Sequence, residues 1–140
     1  MVRTARDEIG RAEAPPSAAA PLAGRRVLLV EDEALVAIDL EMTLEGAGAV
    51  VVGPFLRLSQ AMDAVARAGP LDVAVLDVVL GRDESYPLAE LLAERGVPFV
   101  LHSGHVGSIR AAERYAAAHL CPKPCSPATI LRTIVQALAR

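Results

Sequence analysis

In the stretch Arg26-Val27-Leu28-Leu29-Val30 a short, unbroken apolar run follows the arginine, and Glu31-Asp32-Glu33 comes directly after it. A run of this kind is typical of a strand that is buried on both faces of a parallel sheet. The next segment, residues 34–47, has apolar residues at helical spacing and glycine near its end. The stretch therefore predicts one strand followed by one helix.

The same strand-helix unit recurs along the rest of the chain. Further apolar runs predict strands at residues 49–52, 72–76, 97–101 and 119–121. Helical patterns predict helices at 59–68, at 87–95 and, in short or irregular form, at 108–117, and the pair Ser126-Pro127 predicts the start of a last helix. Because parallel neighbours need crossover connections, these units predict an α/β fold in which helices cover both faces of a five-stranded parallel sheet.

Composition limits both the size of the fold and the classes of partner. The chain has 140 residues, 53% of them hydrophobic, and a formal charge of -3, which suits one compact domain and predicts no nucleic-acid partner. No apolar run approaches the roughly 20 residues that a membrane-spanning helix needs, and the N-terminus lacks the apolar core of a secretory signal. We therefore expect a soluble, cytoplasmic protein without a membrane partner.

The first residues differ in composition from the rest. Residues 14–21 are almost entirely proline and alanine, and such a segment buries too little apolar surface to offset the entropy lost on ordering. We expect a flexible leader over residues 1–24 and a single domain over residues 25–140.

The chain contains two cysteines, Cys121 and Cys125. Two are too few for a secreted scaffold held together by disulfides, and their spacing is not the Cys-x-x-Cys of redox enzymes. We expect reduced thiols that serve packing, with redox sensing as the lesser alternative. The three histidines have no metal-ligand spacing with these cysteines.

Polar residues follow the predicted strands at the edge where their carboxyl ends meet, which is where open parallel sheets bind ligands. They are Glu31 and Asp32 after the first strand, Asp77 after the third, Ser103 after the fourth and Lys123 after the fifth. Two like charges about 4 Å apart repel by about 4 kcal/mol at an effective dielectric constant of about 20. Three carboxylates that lie this close together therefore require a cation among them. Mg2+ suits such oxygen ligands, and Lys123 supplies a second positive charge.

This set of groups suits the transfer of a phosphoryl group to a carboxylate. A metal ion and an ammonium neutralise charge on the phosphoryl oxygens, and a hydroxyl donates to one of them. Asp77 is the central carboxylate because it ends the most buried strand, and Ser103 presents the hydroxyl. The bond between Lys123 and Pro124 is an X-Pro bond, for which the cis form costs only ~0.5–1 kcal/mol, and a cis turn would aim the ammonium inward.

In this order along a five-fold β/α repeat, Glu31-Asp32, Asp77, Ser103 and Lys123-Pro124 resemble the receiver domain of two-component response regulators. The resemblance covers the predicted domain, residues 25–140. It implies a flavodoxin-like, doubly wound sheet with the strand order 2-1-3-4-5.

The resemblance also implies roles for these residues. Asp77 would accept a phosphoryl group from a sensor histidine kinase or a histidine phosphotransfer protein, and Ser103 and Lys123 would contact the phosphoryl oxygens. The implied Mg2+ site consists of Asp32 and Asp77 as direct ligands, the backbone carbonyl of Val79 as a third, and Glu31 acting through water.

Two positions depart from the usual receiver pattern. Leu120 stands where an aromatic switch residue is usual, and Cys125 stands where phenylalanine usually follows Lys-Pro. The stretch from Pro98 to His105 resembles the Phe-Ala-Thr-Gly-Tyr signature of the FAT GUY receivers, which lack that aromatic residue and are typically single-domain regulators with a short, variable fourth helix. This resemblance implies a stand-alone regulator that signals through contacts with a downstream protein.

Two other classes of function remain open. Because Leu120 and Cys125 alter the usual switch, a phosphorylation-independent adaptor with a receiver fold is the alternative. A hydrolase that uses Asp77 as nucleophile is disfavoured, because Val79, two residues later, is not an acid that protonates a leaving group. We therefore predict a phosphoacceptor rather than an enzyme, apart from slow autodephosphorylation.

Overall fold

The computed structural model of the chain describes residues 20–104 and 113–139. Within them, one sheet contains the strands β1 (Arg26–Val30), β2 (Val50–Phe55), β3 (Val73–Leu76), β4 (Phe99–Ser103) and β5 (Ala118–Pro122). The helices of this part are α1 (Ala34–Gly46), α2 (Leu58–Arg67), α3 (Tyr86–Glu94) and α4 (Pro127–Leu138). A small antiparallel ribbon of Val79–Leu80 and Asp83–Glu84 separates β3 from α3 along the chain.

The sheet has the topology that the repeat predicts. Its strand order is β2-β1-β3-β4-β5 and neighbouring strands are parallel, so the α/β class and the order 2-1-3-4-5 are confirmed. The winding direction reverses between β1 and β3, where Val30 lies opposite Leu76 in the register. The residues that follow these two strands therefore emerge side by side.

Helices cover both faces of the sheet, and each face has its own apolar core. On one face, α2 and α3 pack against strand residues such as Leu28 and Leu76. On the other face, α1 and α4 pack against Leu29 and Val75. Because alternate residues of a strand point to opposite faces, each central strand contributes to both cores, which explains its continuous apolar run.

Helix boundaries follow the prediction closely, whereas two strands differ from it. β2 ends at Phe55 instead of residue 52, because its pairing with β1 continues until Phe55 lies opposite Val30. α1, α2 and α3 begin and end within one residue of their predicted positions, and Ser126 caps α4 by accepting the N–H of Thr129 at 3.1 Å. β4 spans Phe99–Ser103 instead of residues 97–101, because its pairing with β5 continues until Ser103 lies opposite Pro122. The apolar pattern of the sequence does not indicate which residues pair with a neighbouring strand, so the prediction began β4 two residues early.

Part of the prediction falls outside the described residues. Residues 1–19 hold most of the predicted leader, and residues 105–112 hold His105 and the first half of the helix predicted at 108–117. Where the description resumes, Glu113 and Arg114 are helical and Tyr115 is not. That helix therefore ends three residues before its predicted end.

Residues 20–24, which the prediction assigned to the leader, pack against the domain. Leu22 is fully buried in the core beneath α1 and α4, and its N–H donates to the carbonyl of Ala47 at 2.9 Å. The N–H of Gly24 donates to the carbonyl of Gly48 at 3.0 Å. One buried leucine and these hydrogen bonds therefore hold residues 20–24, the last part of the predicted leader, against the domain.

Leu22→Ala is expected to lower the free energy of unfolding by about 3 kcal/mol, since truncation of a buried leucine loses apolar burial and leaves a cavity. Chemical denaturation followed by circular dichroism measures the difference. Leu35→Ala is the matched control, because Leu35 of α1 is 83% exposed, and it should change the same quantity by less than about 0.5 kcal/mol. Equally small effects in both variants would show that Leu22 contributes nothing to the folded domain.

Candidate functional site

Asp77 stands directly after β3, at the edge where the carboxyl ends of the strands meet. It is only 8% exposed, and its N–H donates to the carbonyl of Val30 at 3.2 Å, so its backbone continues the pairing of β1 with β3. Its Oδ1 accepts the N–H of Val79 at 3.3 Å, and its Oδ2 lies 3.0 Å from the Nζ of Lys123. One carboxylate oxygen therefore meets a backbone donor and the other meets a cation.

Glu31 and Asp32 occupy the turn between β1 and α1. Glu31 is 1% exposed, and its Oε2 accepts the N–H of Glu33 at 3.2 Å. Asp32 is more exposed, and its Oδ2 accepts the N–H of Gly81, in the ribbon turn after β3, at 2.8 Å. Backbone donors thus hold both acids beside Asp77.

Lys123, from the turn after β5, reaches into this group of carboxylates. Its Nζ lies 3.0 Å from Oδ2 of Asp77, 3.1 Å from Oε1 of Glu31 and 3.6 Å from Oε1 of Glu33. The first two carboxylates are buried and the third is exposed. Glu33 was not among the predicted site residues, although its place in the acidic run before α1 was a signal for it.

Ser103 and Val79 complete the predicted set. Ser103 is the last residue of β4, is 2% exposed, and accepts the N–H of Lys123 on its backbone carbonyl at 3.3 Å. Val79 contacts Asp77 through its N–H. The bond between Lys123 and Pro124 is cis and the ammonium points inward, as the prediction for this turn had it. Backbone contacts therefore join Ser103 and Val79 to the two groups at the centre of the site.

Burial and charge shift the pKa values of two groups in the site. Burial raises the pKa of Glu31 from 4.5 to about 7, although the Glu33 N–H and the charge of Lys123 act in the opposite direction. Burial alone lowers the pKa of Lys123, but its hydrogen bond to Asp77 and the charges of Glu31 and Asp77 outweigh this effect, so the pKa is raised. The lysine therefore stays protonated at neutral pH and offsets the charge of the buried carboxylates.

The same carboxylates fit a divalent cation. One oxygen from each of Glu31, Asp32 and Asp77 lies within 4.8 Å of the others. Mg2+ prefers hard oxygen donors and keeps several of its waters, and the exposed position of Asp32 leaves one side of the cluster open to solvent. A metal ion in this cluster would compete with the Lys123 ammonium for the oxygens of Asp77.

The structure corrects the expectation for the cysteines. Cys121 and Cys125 form a disulfide instead of two reduced packing thiols. Cys121 lies in β5 and Cys125 precedes the cap of α4, and the turn between these elements leaves their Cα atoms 6.4 Å apart. A spacing of four residues does not reveal such a turn, so the sequence pattern alone did not predict the bond.

A buried histidine also lies near the site. His102 precedes Ser103 in β4 and is 6% exposed, and burial together with the positive charge of Lys123 lowers its pKa. Among the described residues, no hydrogen-bond partner is found for its Nδ1. His102 is thus a buried residue of β4 that lies beside the site without belonging to the acidic cluster.

No protein family model matches the chain. Over 139 residues the sequence is 30% identical to the phyllosphere-induced regulator PhyR of Methylorubrum extorquens, and the match covers 98% of this chain and 50% of PhyR. The solution structure of SdrG from Sphingomonas melonis Fr1 is 33% identical, has a TM-score of 0.70, and is matched over 84% of this chain and 98% of SdrG. The REC domain of the PhyR response regulator from Erythrobacter litoralis is 26% identical, has a TM-score of 0.72, and is matched over 85% of this chain and 93% of that domain. The chain belongs to the response regulator receiver domains.

Receiver domains typically bind Mg2+ at acidic residues, and this chain has an acidic cluster of Glu31, Asp32 and Asp77. Receiver-domain regulators are generally signalling proteins rather than enzymes. The receiver domain described here spans about half the length of the curated relative that it matches. Within residues 20–104 and 113–139, no helix is long and apolar enough to cross a membrane.

Proposed function

We propose that this receiver domain accepts a phosphoryl group on Asp77 with the help of Mg2+. The observation that carries the proposal is the 3.0 Å contact between Asp77 Oδ2 and Lys123 Nζ inside a cluster of three carboxylates. A buried carboxylate with a fixed backbone is well placed as a nucleophile, and an adjacent ammonium stabilises the charge that develops on a transferring phosphoryl group.

The proposed reaction assigns a task to each residue of the site. An oxygen of Asp77 attacks the phosphorus of a phosphohistidine, the new O–P bond forms, and the bond from phosphorus to the imidazole nitrogen breaks. Lys123 exchanges its contact with the carboxylate for one with a phosphoryl oxygen, and the hydroxyl of Ser103 donates to another. Mg2+, held by Glu31, Asp32, Asp77 and the carbonyl of Val79, would neutralise charge on the phosphoryl oxygens.

The proposed donor is a sensor histidine kinase or a histidine phosphotransfer protein, and the proposed output is contact with a downstream protein. Phosphorylation changes the charge beside Ser103 and Lys123, at the ends of β4 and β5, so the surface of these two strands is expected to change. Leu120 and the stretch from Pro98 onward support the FAT GUY subgroup and therefore a stand-alone regulator that acts in the cytoplasm.

A small phosphodonor tests the proposal. Incubation with acetyl phosphate and Mg2+ is expected to add one phosphoryl group to the protein, and intact-mass spectrometry detects the gain. Omission of Mg2+ should slow the reaction, because the charge on the phosphoryl oxygens is then offset by Lys123 alone. An unchanged mass at all donor concentrations would contradict the proposed function.

Asp32→Asn is expected to weaken Mg2+ binding at least ~10-fold, because the variant loses one charged oxygen ligand of the cluster. Isothermal titration with MgCl2 measures the dissociation constant. Asp83→Asn is the matched control, since Asp83 is an exposed aspartate of the ribbon outside the acidic cluster, and it should bind like the wild type. Equal affinities of wild type and Asp32→Asn would exclude Asp32 as a ligand.

The alternative is a receiver-fold adaptor that works without phosphorylation, and Leu120 favours it. This residue packs against the core under α2 and α3 at the position where the family usually has its aromatic switch. Amide spectra recorded with Mg2+ and beryllofluoride, a mimic of the phosphoryl group, separate the two functions. Shifts near Ser103 support the phosphoacceptor, and unchanged spectra support the adaptor.

A further inference from the structure

The disulfide of this domain encloses the lysine of the site. Cys121, in β5, is 1% exposed and belongs to the core beneath α1 and α4, whereas Cys125 directly precedes the capping residue of α4. The bond between them closes a ring around Pro122, Lys123 and Pro124. This part of the chain therefore has a covalent cross-link between a buried strand and the start of a helix.

Lys123 is the central residue of this ring. Its ammonium contacts two buried carboxylates, those of Asp77 and Glu31, and its N–H donates to the carbonyl of Ser103. A cross-link between the residues two before and two after Lys123 limits how far its backbone moves. When the cross-link is open, the segment is held by its flanking elements and by these non-covalent contacts alone.

The two sulfur atoms differ in their access to solvent. Cys121 is buried, but Cys125 is partly exposed and lines a groove of about 520 Å³ between α1 and the turn after β5. Leu35, Asp39 and His102 line the same groove. Thiol-disulfide exchange begins at the sulfur that a thiolate reaches, and of the two sulfur atoms that of Cys125 is the one that faces this groove.

We propose that Cys121 and Cys125 form a thiol-disulfide exchange site whose redox state controls how firmly Lys123 is held at Asp77. The part of this inference that concerns the rate of phosphoryl uptake rests on the proposed function. The disulfide form holds the ammonium beside the acceptor carboxylate and takes up phosphoryl groups faster. The dithiol form lets the lysine turn move and takes them up more slowly, by about tenfold, since small displacements of a positioning group have effects of this size or more.

The exchange is a two-electron reaction with a dithiol as reductant. A thiolate of the reductant forms a bond to Sγ of Cys125, the bond to Cys121 breaks, and the Cys121 thiolate takes up a proton. The second thiol of the reductant then attacks the mixed disulfide, is oxidised to a cyclic disulfide, and releases Cys125 as a thiol. An oxidised dithiol drives the same steps in reverse.

Two measurements on the full chain test the proposal. The first is the rate of phosphoryl uptake from acetyl phosphate in buffers of reduced and oxidised dithiothreitol, with the thiol content titrated in each. The second uses the fact that Lys123 is the only lysine in the sequence, so protein labelled with ¹³C-lysine gives a single lysine spin system. The Cε signal reports the surroundings of Nζ without any phosphoryl transfer.

Cys125→Ser is the matched control, because serine is close to cysteine in size at this partly buried position and the variant forms no bridge to Cys121. We expect reduction of the wild type to move the lysine signal and to slow uptake by about tenfold. The variant should resemble the reduced wild type in both measurements and should ignore the redox buffer.

Each outcome decides the proposal. A lysine signal that reduction leaves unchanged, or two free thiols in the oxidised buffer, would overturn it. Equal uptake rates in both buffers would overturn the control of phosphorylation while leaving the proposed function intact. If neither form takes up a phosphoryl group, the proposed function fails, and the lysine signal alone then decides whether the disulfide holds Lys123.

Discussion

Asp77→Asn is expected to abolish phosphoryl uptake. An amide oxygen carries no full negative charge and is a poor nucleophile toward phosphorus, so the variant should gain no mass under conditions in which the wild type gains one phosphoryl group. The change keeps the size of the side chain and leaves an oxygen that accepts a hydrogen bond from Lys123, whose Nζ lies 3.0 Å from Asp77 Oδ2. Circular dichroism should therefore show a folded domain, and intact-mass spectrometry measures the loss.

Asp63→Asn is the matched control for this substitution. Asp63 lies on the exposed side of α2, where it pairs with Arg67 at 3.2 Å, and it does not belong to the acidic cluster. Its variant should take up one phosphoryl group at the wild-type rate. Uptake by Asp77→Asn at that same rate would place the acceptor at another residue.

Lys123→Ala is expected to have two large effects. The rate of phosphoryl uptake should fall by about 10²–10³, the usual cost of losing one group that stabilises charge in a transition state. The metal-free fold should also lose about 2 kcal/mol of stability at about pH 8, because Glu31 and Asp77 remain buried without their cation. Initial rates of uptake and denaturant titrations measure the two effects.

The loss of stability should increase with pH. Burial raises the folded-state pKa of Glu31 from 4.5 to about 7, so the folded chain holds this proton more tightly than the unfolded chain and loses stability as pH rises through that range. Without Lys123 the charged Glu31 loses its cation, and the difference from wild type should be larger at about pH 8 than at about pH 5. Added Mg2+ should restore part of it, since it binds only the folded cluster.

Arg67→Ala serves as the control for the lost cation. Arg67 belongs to an exposed ion pair with Asp63, and removal of such a pair should cost no more than about 0.5 kcal/mol at either pH. A Lys123→Ala variant as stable as Arg67→Ala, with unchanged uptake, would show that the lysine has no role in the site.

The sheet was predictable because its strands are buried on both faces. The apolar runs at residues 27–30 and 73–76 are too short for helices and are bounded by polar residues, and short connections between alternating elements leave few topologies. The details that depend on packing against a neighbouring strand or helix were not predictable. β4 extends to Ser103 because it pairs with β5, and Leu22 is buried because α1 and α4 leave space for it.

The site was predictable to the same degree, and for a topological reason. Parallel strands bring their carboxyl ends to one edge, so Glu31, Asp32, Asp77 and Lys123 meet although 92 positions separate the first from the last. The individual atomic contacts within the site were not predictable. The conformation of a few loop residues decides which carboxylate oxygen faces the ammonium. It also decides that Cys121 and Cys125 form a bond across the turn.

The location of the phosphoryl group tests the central claim most directly. After incubation with acetyl phosphate and Mg2+, reduction with borohydride converts an aspartyl phosphate to homoserine, and peptide mass spectrometry identifies the changed residue. We predict homoserine at position 77 and at no other acidic residue. Homoserine at position 31 or 32, or an unmodified Asp77 in protein that has gained a phosphoryl group, would contradict the account.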